Sequence, residues 1–159
     1  MGLKIDVPGR QTYQVEAIIF DLNGTLTIDG ELRSSTRELL LELAEEVSIH
    51  ILTADTHHSA SMVQESLGGK VKVHVLQGDY TLEAKRTLIK ELGPGQTAAV
   101  GNGANDAGLL EEACLAVAVL EKEGCAAEVL SRANILVRST DDALKLFLNT
   151  RRIIATLRR

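Results

Sequence analysis

Two kinds of segment alternate along the chain. Short apolar runs, typical of strands buried on both faces, occur at 17–20 (AIIF), 48–53 (SIHILT), 71–76 (VKVHVL), 97–101 (TAAVG), 115–119 (LAVAV) and 134–137 (NILV). Segments with helical periodicity lie between or after them, from residue 35 and at 59–67, 82–92, 104–113, 123–132 and 141–148. This alternation predicts a parallel sheet with helices on both faces.

The ends of the chain and of the helices carry further signals. The segments KIDV and TYQVE predict an additional antiparallel hairpin at one edge of the sheet. Ser34 or Ser35 is the expected N-cap of the first helix, and Gly68 and Gly69 are expected to end the second. The terminal RRIIATLRR is interpreted as a last basic helical turn, with an anion or partner site as the alternative.

Composition narrows the classes of function. The 159 residues predict a single domain, 1–159, with a net charge of −5 and 3% aromatic residues. The acidic balance and the few aromatics argue against a nucleic-acid binder. No apolar run is long enough to span a membrane, and the first residues lack the apolar core of a secretory signal. Cys114 and Cys125 lie in apolar, alanine-rich surroundings and are expected to be buried, reduced thiols, so the cytoplasm is the expected location.

Chemically capable side chains follow three of the predicted strands. Asp21, Thr53 and the loop 101–106 all stand where a strand ends, which is the edge of a parallel sheet where ligands bind. A carboxylate at the end of a buried strand can act as a nucleophile and form an aspartyl-phosphate. Asp106 offers a hard oxygen ligand for Mg²⁺, and Lys85 can neutralise the charge of a phosphoryl group.

The turn after Asp21 is expected to bind phosphate. Gly24 allows a sharp turn in which consecutive backbone N–H groups form an anion nest, and Thr53 supplies a hydroxyl. The predicted phosphate-binding residues are Leu22, Asn23, Gly24, Thr53, Ala54 and Lys85.

Simpler interpretations exist for each motif. An isolated Asn-Gly pair is usually only a tight turn, and GNG or GAND can be a loop and a helix cap. Asp55 either caps the following helix or lines the site. His57 and His58 lack the spacing of metal ligands and are interpreted as surface residues at a helix start.

The motifs together resemble a known family. DLNGTLT, LTAD, EAKRTLIKEL and VGNGANDAGLL, in this order, resemble the four motifs of the haloacid dehalogenase superfamily, and most of all the phosphorylation domain of P-type ATPases. The resemblance covers residues 16–148 and extends to small, soluble P-type ATPase-like proteins. It implies a three-layer, Rossmann-like α/β fold with Mg²⁺ as the cofactor.

The resemblance also implies roles for individual residues. Asp21 matches the nucleophile, Lys85 the charge-neutralising lysine and Thr53 the phosphate-binding hydroxyl, while Asn23 stands at the position of the acid/base residue of the phosphatases. The implied metal-site residues are Asp21, Asn23 through its backbone carbonyl, Asn102 and Asp106.

This chain departs from the family pattern at three places. Asn23 and Asn102 replace aspartates and Ala54 replaces a glycine, so slow turnover is expected. The segment between Leu26 and Ser35 is too short for a cap domain and leaves room only for a small flap. A capless site is otherwise open to water, so self-association is expected.

These observations lead to one main hypothesis and two alternatives. The main hypothesis is a Mg²⁺-dependent phosphohydrolase or phosphotransferase that acts on a phosphorylated small molecule or macromolecule. The first alternative is a phosphate- or phosphoprotein-binding regulatory module with little turnover. The second is a structural scaffold that retains a vestigial site.

Overall fold

The computed structural model describes residues 1–54, 58–76 and 81–159. Its strands are β1 (Leu3–Asp6), β2 (Thr12–Val15), β3 (Ala17–Asp21), β4 (Thr27–Ile28), β5 (Glu31–Leu32), β6 (Ser48–Thr53), β7 (Val71–Val75), β8 (Thr97–Gly101), β9 (Leu115–Val119) and β10 (Ile135–Val137). Its α-helices are α1 (Ser34–Leu43), α2 (His58–Leu67), α3 (Thr81–Leu92), α4 (Ala107–Glu112), α5 (Ala127–Leu130), α6 (Thr140–Leu148) and α7 (Arg151–Leu157).

Six strands form one parallel sheet in the order β10-β9-β8-β3-β6-β7. The chain starts at β3 in the middle, builds outward through β6 and β7, and then returns to add β8, β9 and β10 on the other side. The order therefore reverses beside β3, and a crevice at the carboxyl ends of β3 and β8 is the expected ligand site of such a sheet.

Helices cover both faces of this sheet, which confirms the predicted three-layer α/β architecture. On one face, residues of α1, α2, α6 and α7 pack with Ile18 and Phe20 of β3 in a buried apolar cluster. On the other face, residues of α3, α4 and α5 pack with Ile19 of β3 and Leu52 of β6. Successive residues of β3 thus point into different cores, which is why its sequence is a continuous apolar run.

The predicted hairpin and flap are both present. β1 and β2 pair antiparallel, but they form a separate two-stranded sheet, so the expected placement at an edge of the main sheet is wrong. β4 and β5 pair across a turn in which Asp29 (φ 51°) and Gly30 (φ 81°) both have positive φ. Such a two-residue turn matches the twist of paired strands. This small flap occupies the place where a cap domain would be inserted.

Three helix boundaries differ from the prediction. The helix expected at 123–132 is reduced to α5, because Glu121 and Gly124 form a bridged turn and Gly124 has φ 88°. The segment 104–113 begins as a 3₁₀ turn (Ala104–Asp106) before α4. Finally, the N-cap of α1 is Arg33, which makes no side-chain capping bond.

The hydroxyl groups of Ser35 and Thr36, at the start of α1, bond to another helix. Ser35 Oγ donates to Asp141 Oδ2 over 2.7 Å, and Thr36 Oγ1 donates to Asp141 Oδ1 over 2.6 Å. These bonds connect α1 to α6, so the two hydroxyl groups make tertiary contacts and do not cap their own helix.

Two further expectations concern the cysteines and the termini. Cys114 and Cys125 are free and half-buried. The basic C-terminal segment is helical, as α7. Over the described ranges, no helix has both the length and the apolar character needed to cross a membrane.

Candidate active site

Three adjacent strands bring the predicted site residues to one edge of the sheet. Asp21 ends β3, Thr53 ends β6 and Gly101 ends β8. β3 pairs with β6 on one side and with β8 on the other. The convergence that strand order predicts is therefore present in the fold.

Lys85 lies between the two carboxylates of this edge. Its Nζ is 2.7 Å from Asp106 Oδ1 and 3.5 Å from Asp21 Oδ1. The lysine projects from α3 and is 1% exposed. Helix α3 also carries Ile89 into the apolar cluster beneath, so burial of the helix directs this lysine toward the sheet edge.

Asp106 is fully buried and holds its own loop together. Its Oδ2 accepts from the backbone N–H groups of Asn102 (3.2 Å) and Gly103 (3.0 Å). A Cβ atom on Gly101 would lie 2.7 Å from Asp106 Cγ, so the carboxylate can occupy this place only because residue 101 is glycine.

Burial and mutual charge shift the pKa values of Asp21 and Lys85 within the trio formed by Asp21, Lys85 and Asp106. Burial, together with the charge of Asp106, raises the pKa of Asp21 to about 7, although Lys85 acts in the opposite direction. Burial lowers the pKa of Lys85, but the carboxylates of Asp106 and Asp21 more than offset this and hold it above its usual value. The lysine is therefore a fixed positive charge at neutral pH, and Asp21 is the group whose charge responds to a nearby cation.

Asn23 extends from the turn toward Thr53. The Asn23 side chain is exposed, and its Nδ2 donates to Thr53 Oγ1 over 3.3 Å. Its Oδ1 lies 3.5 Å from the Thr27 hydroxyl, which also donates to Leu22 O. The amide thus joins the loops that follow β3 and β6 at the open side of the site.

The predicted anion nest is smaller than expected. The turn has Gly24 at φ 78°, as predicted, but Leu22 N–H donates to Leu52 O and Gly24 N–H donates to Thr27 O. These bonds extend the pairing of β3 and close the turn, so those two amides are not directed at a ligand. Among the three turn residues that were predicted to bind phosphate (Leu22, Asn23 and Gly24), Asn23 is the one whose N–H stays a candidate donor.

The side chain of Asn102 forms hydrogen bonds with two other loops. Its Oδ1 accepts from Thr25 Oγ1 over 3.1 Å, and its Nδ2 donates to Gly124 O over 3.1 Å. Thr25 is fully buried, and its backbone carbonyl accepts a hydrogen bond from Thr140. The sequence pattern did not reveal Thr25 or Gly124, because one is a threonine among apolar residues and the other contributes only its backbone.

The remaining predicted residues lie at the margin or outside the described chain. Ala54 is exposed directly after β6. Asp55 and His57, and the side chain of His58, fall outside the part of the chain that the structure describes. Over that part, no group of three or more His, Cys, Asp and Glu side chains is arranged to hold a metal ion.

Solved structures with this architecture are sugar-phosphate phosphatases among others. The 3-deoxy-D-manno-octulosonate 8-phosphate phosphatase of Moraxella catarrhalis, solved with magnesium, phosphate and the sugar, superposes with a TM-score of 0.64 at 19% identity over 91% of this chain and 94% of that one. The cobalt-bound phosphatase of Haemophilus influenzae gives a TM-score of 0.71 at 16% identity, covering 89% of this chain and 91% of that one. A hydrolase of the haloacid dehalogenase superfamily from Legionella pneumophila superposes with a TM-score of 0.69 at 21% identity over 90% of this chain and 87% of that one. This chain therefore has the haloacid dehalogenase fold, as the motifs predict.

Comparison by sequence gives relatives of two kinds, and no family model matches. The cadmium/zinc-transporting ATPase HMA2 of Arabidopsis thaliana is 28% identical over 144 residues, 87% of this chain but only 14% of the transporter. An uncharacterized protein of Methanocaldococcus jannaschii is 38% identical over 77 residues, which are 48% of this chain and 83% of that protein. The chain belongs to the same family as this uncharacterized protein.

Proposed function

We propose that this protein is a Mg²⁺-dependent phosphohydrolase or phosphotransferase that forms an aspartyl-phosphate at Asp21. The observation that carries this proposal is the position of Lys85, whose buried ammonium group lies between Asp21 and Asp106 at the carboxyl edge of the sheet. A nucleophilic carboxylate needs such a positive charge beside it when it meets an anionic phosphoryl group, because phosphoryl transfer depends on positioning and charge stabilisation.

The reaction follows from these residues. An Asp21 oxygen forms a bond to phosphorus while the bond from phosphorus to the leaving-group oxygen breaks, and that oxygen keeps the electron pair. A water oxygen then attacks the same phosphorus while the bond from phosphorus to the Asp21 oxygen breaks. This restores the Asp21 carboxylate, and both protons of the water leave with the inorganic phosphate. Lys85, the Asn23 N–H and the Thr53 hydroxyl orient the phosphoryl oxygens, and Ala54 lines the opening.

The oxygen donors of the site fit a magnesium ion. Asp21, the backbone carbonyl of Asn23 and Asp106 would hold it, whereas the side-chain oxygen of Asn102 already accepts a hydrogen bond from Thr25. An ionised carboxylate has about four acceptor positions, and Asp106 uses three of them, for Lys85 and two backbone N–H groups. Mg²⁺ needs only one or two carboxylates together with phosphate oxygens and waters. When bound, it supplies positive charge to the phosphoryl oxygens.

Turnover is slow in this proposal because Asn23 cannot move a proton. An amide can donate and accept hydrogen bonds, but it neither protonates a leaving group nor deprotonates water at neutral pH. Such an acid/base group usually contributes about 10²–10⁴-fold to the rate. The phosphoenzyme would form from donors with good leaving groups and would persist once made.

A second candidate is a phosphate- or phosphoprotein-binding regulatory module. The exposed amide of Asn23 favours it, because the residue occupies the open side of the site without acid/base capacity. A phosphatase screen with Mg²⁺ separates the two candidates, since the module would bind beryllium fluoride but release no phosphate from any substrate.

The wider setting of the protein is also a proposal. We propose that residues 1–159 act as one domain in the cytoplasm, and the free Cys114 and Cys125 support a reducing compartment.

The small flap supports a phosphorylated macromolecule as substrate, or self-association that shields the site from water. Cation transport is not part of the proposal, because the chain spans about 14% of the transporter that it resembles.

Labelling with acetyl phosphate tests the nucleophile. We expect wild-type protein to incorporate label that hydroxylamine removes, and Asp21→Asn to incorporate none. Asp6→Asn is the matched control, because Asp6 is an exposed carboxylate on β1. Hydroxylamine-resistant label, or equal labelling of Asp21→Asn and wild type, would refute an aspartyl-phosphate at this residue.

A further inference from the structure

We propose that Asn102 is a positioning residue that joins three loops of the site and contributes no ligand to the cation. This inference rests on the proposed function only in its statement about the cation. The loops are the turn 22–27 after β3, the loop 101–106 after β8 and the turn 121–124 after β9. The motif position of Asn102 alone would suggest a metal ligand.

All four hydrogen-bonding groups of Asn102 have partners within the protein. Its backbone N–H donates to Asp106 Oδ2, and its backbone carbonyl accepts from Ala126 N–H over 2.8 Å. Its side-chain oxygen accepts from the Thr25 hydroxyl, and its side-chain nitrogen donates to Gly124 O. The residue is 8% exposed. Each of the three loops is therefore held by this one residue.

The chemistry of the partners decides which way the amide faces. A backbone carbonyl can only accept a hydrogen bond, so the atom that faces Gly124 O must be the nitrogen. The oxygen then faces Thr25, whose hydroxyl can donate to it. This orientation commits the amide oxygen to the hydroxyl of the buried Thr25.

An aspartate at position 102 could not make the same contacts. A carboxylate has no donor at neutral pH, so it would place a negative oxygen about as far from Gly124 O as the present nitrogen, 3.1 Å. The neighbouring turn leaves little room for adjustment, since even a Cβ atom on Gly24 would lie 2.8 Å from Asn102 Nδ2. The contacts of this chain therefore favour an amide at position 102, where the family that the motifs resemble carries an acid.

The junction extends beyond the catalytic loops. Glu121, at the start of the turn 121–124, accepts from Arg33 at the base of the flap (3.0 Å) and from Thr140 N–H at the start of α6 (2.8 Å). By holding Gly124, Asn102 connects the flap base to the loop that contains Asp106. Loss of the amide should therefore increase the mobility of the turn 121–124 much more than it weakens Mg²⁺ binding.

Two measurements on the full chain test this inference. Hydrogen–deuterium exchange of the peptide covering 121–126 reports the loop, and a Mg²⁺ titration of beryllium fluoride trapping reports the cation. The variants are Asn102→Ala, Asn102→Asp and Thr25→Val, each alone, and Thr25→Val in the Asn102→Ala background. Asn105→Ala is the matched control, because Asn105 is an exposed amide in the same loop.

A positioning role predicts that hydrogen exchange changes and that the Mg²⁺ midpoint does not. Asn102→Ala and Asn102→Asp should speed exchange at 121–126 by about 5- to 10-fold, the effect of one lost hydrogen bond. The Mg²⁺ midpoint at saturating beryllium fluoride should stay within about twofold of wild type, well below the effect of losing a metal ligand or its direct support. Thr25→Val should add little exchange in the Asn102→Ala background, and Asn105→Ala should change neither readout.

Other outcomes would overturn the inference. A rise of tenfold or more in the Mg²⁺ midpoint of Asn102→Ala, or a matching fall in Asn102→Asp, would make residue 102 a ligand position. Unchanged exchange at 121–126 in Asn102→Ala would remove the positioning role. If wild-type protein traps no beryllium fluoride, the proposed function fails, and the exchange comparison still decides whether Asn102 holds the loop.

Discussion

Lys85 Nζ lies 2.7 Å from Asp106 Oδ1, and both side chains are almost completely buried. The same ammonium group is 3.5 Å from Asp21, so one positive charge serves two carboxylates. Burial of ions is costly unless each is paired and hydrogen-bonded, and Asp106 obtains further bonds from its own loop. The trio is therefore a point where stability and the proposed chemistry depend on the same residues.

Lys85→Met should destabilise the protein. The substitution preserves volume but leaves two carboxylates without their positive partner, and breaking a buried ion pair costs about 3–5 kcal/mol. Urea denaturation measures the free energy of unfolding, and Lys4→Met on the exposed side of β1 is the control, expected to change it by less than about 0.5 kcal/mol. A Lys85→Met variant as stable as wild type would show that the lysine does not compensate these charges.

Asn23→Asp should raise phosphomonoester turnover. A carboxylate there can protonate the leaving group and then accept a proton from water, so we expect a rise of about ten- to a thousandfold with p-nitrophenyl phosphate. Asn105→Asp adds a carboxylate to the neighbouring loop and serves as the control. The alternative is that Asn23 is present only for its turn propensity, and in that case aspartate changes little.

Deamidation of wild-type protein would distort the comparison of its turnover with that of Asn23→Asp. Asn23-Gly24 and Asn102-Gly103 are both prone to deamidation, which would convert part of the wild type into the aspartate form. Intact mass must therefore be measured before activity is assigned. Equal rates for intact wild type and Asn23→Asp would show that the amide does not limit turnover.

A pair of histidines should make the free energy of unfolding depend on pH. His50 on β6 shares a hydrogen bond with Ser48 Oγ and another with His74 on β7, each 3.0 Å long, and the two rings stack. Burial, followed by the charges of His74 and Lys72, lowers the pKa of His50 to about 4. Burial and Lys72 also lower the pKa of His74, while Glu91 acts in the opposite direction.

The sign of the effect follows from the unfolded chain. An unfolded histidine takes up a proton near pH 6.5, whereas His50 in the folded protein does so only near pH 4. The contribution of neutral His50 to stability is thus complete above about pH 6.5 and is lost as the pH falls to 4, by up to about 3 kcal/mol. His50→Gln should flatten this decline in urea denaturation between pH 7 and pH 4. An unchanged slope in the variant would exclude His50 as its source.

Gln64 should protect the outer edge of the sheet from self-association. Its Nε2 donates to Val71 O over 2.8 Å, and its Oε1 accepts from Val73 N–H over 3.0 Å, so a side chain of α2 occupies backbone groups that edge strand β7 would otherwise present. Exposed strand edges pair readily with other chains. Gln64→Ala should therefore increase the sedimentation coefficient in a concentration-dependent way, and its exposed neighbour Glu65→Ala should not. Identical sedimentation of Gln64→Ala and wild type would contradict this protective role.

The sequence by itself determined the sheet and the edge at which the site residues meet. Strands buried on both faces must be continuously apolar, so AIIF, TAAVG and LAVAV stand out locally. The polar residues that follow such strands are placed by parallel topology alone, which is why the sequence suffices to group Asp21, Thr53 and Asp106.

Only the tertiary structure decided what the individual polar groups contact. The helix predicted from residue 123 begins only at α5, because Glu121 and Gly124 form a turn whose carbonyl at Gly124 accepts from Asn102 Nδ2. The hydroxyls of Ser35 and Thr36 bind Asp141 instead of capping α1. Each of these contacts joins residues that are far apart in the chain. Periodicity and local propensity indicate which face of a helix or strand is buried. A hydrogen-bond partner on another element depends on how the elements pack together, and no local stretch of sequence determines that packing.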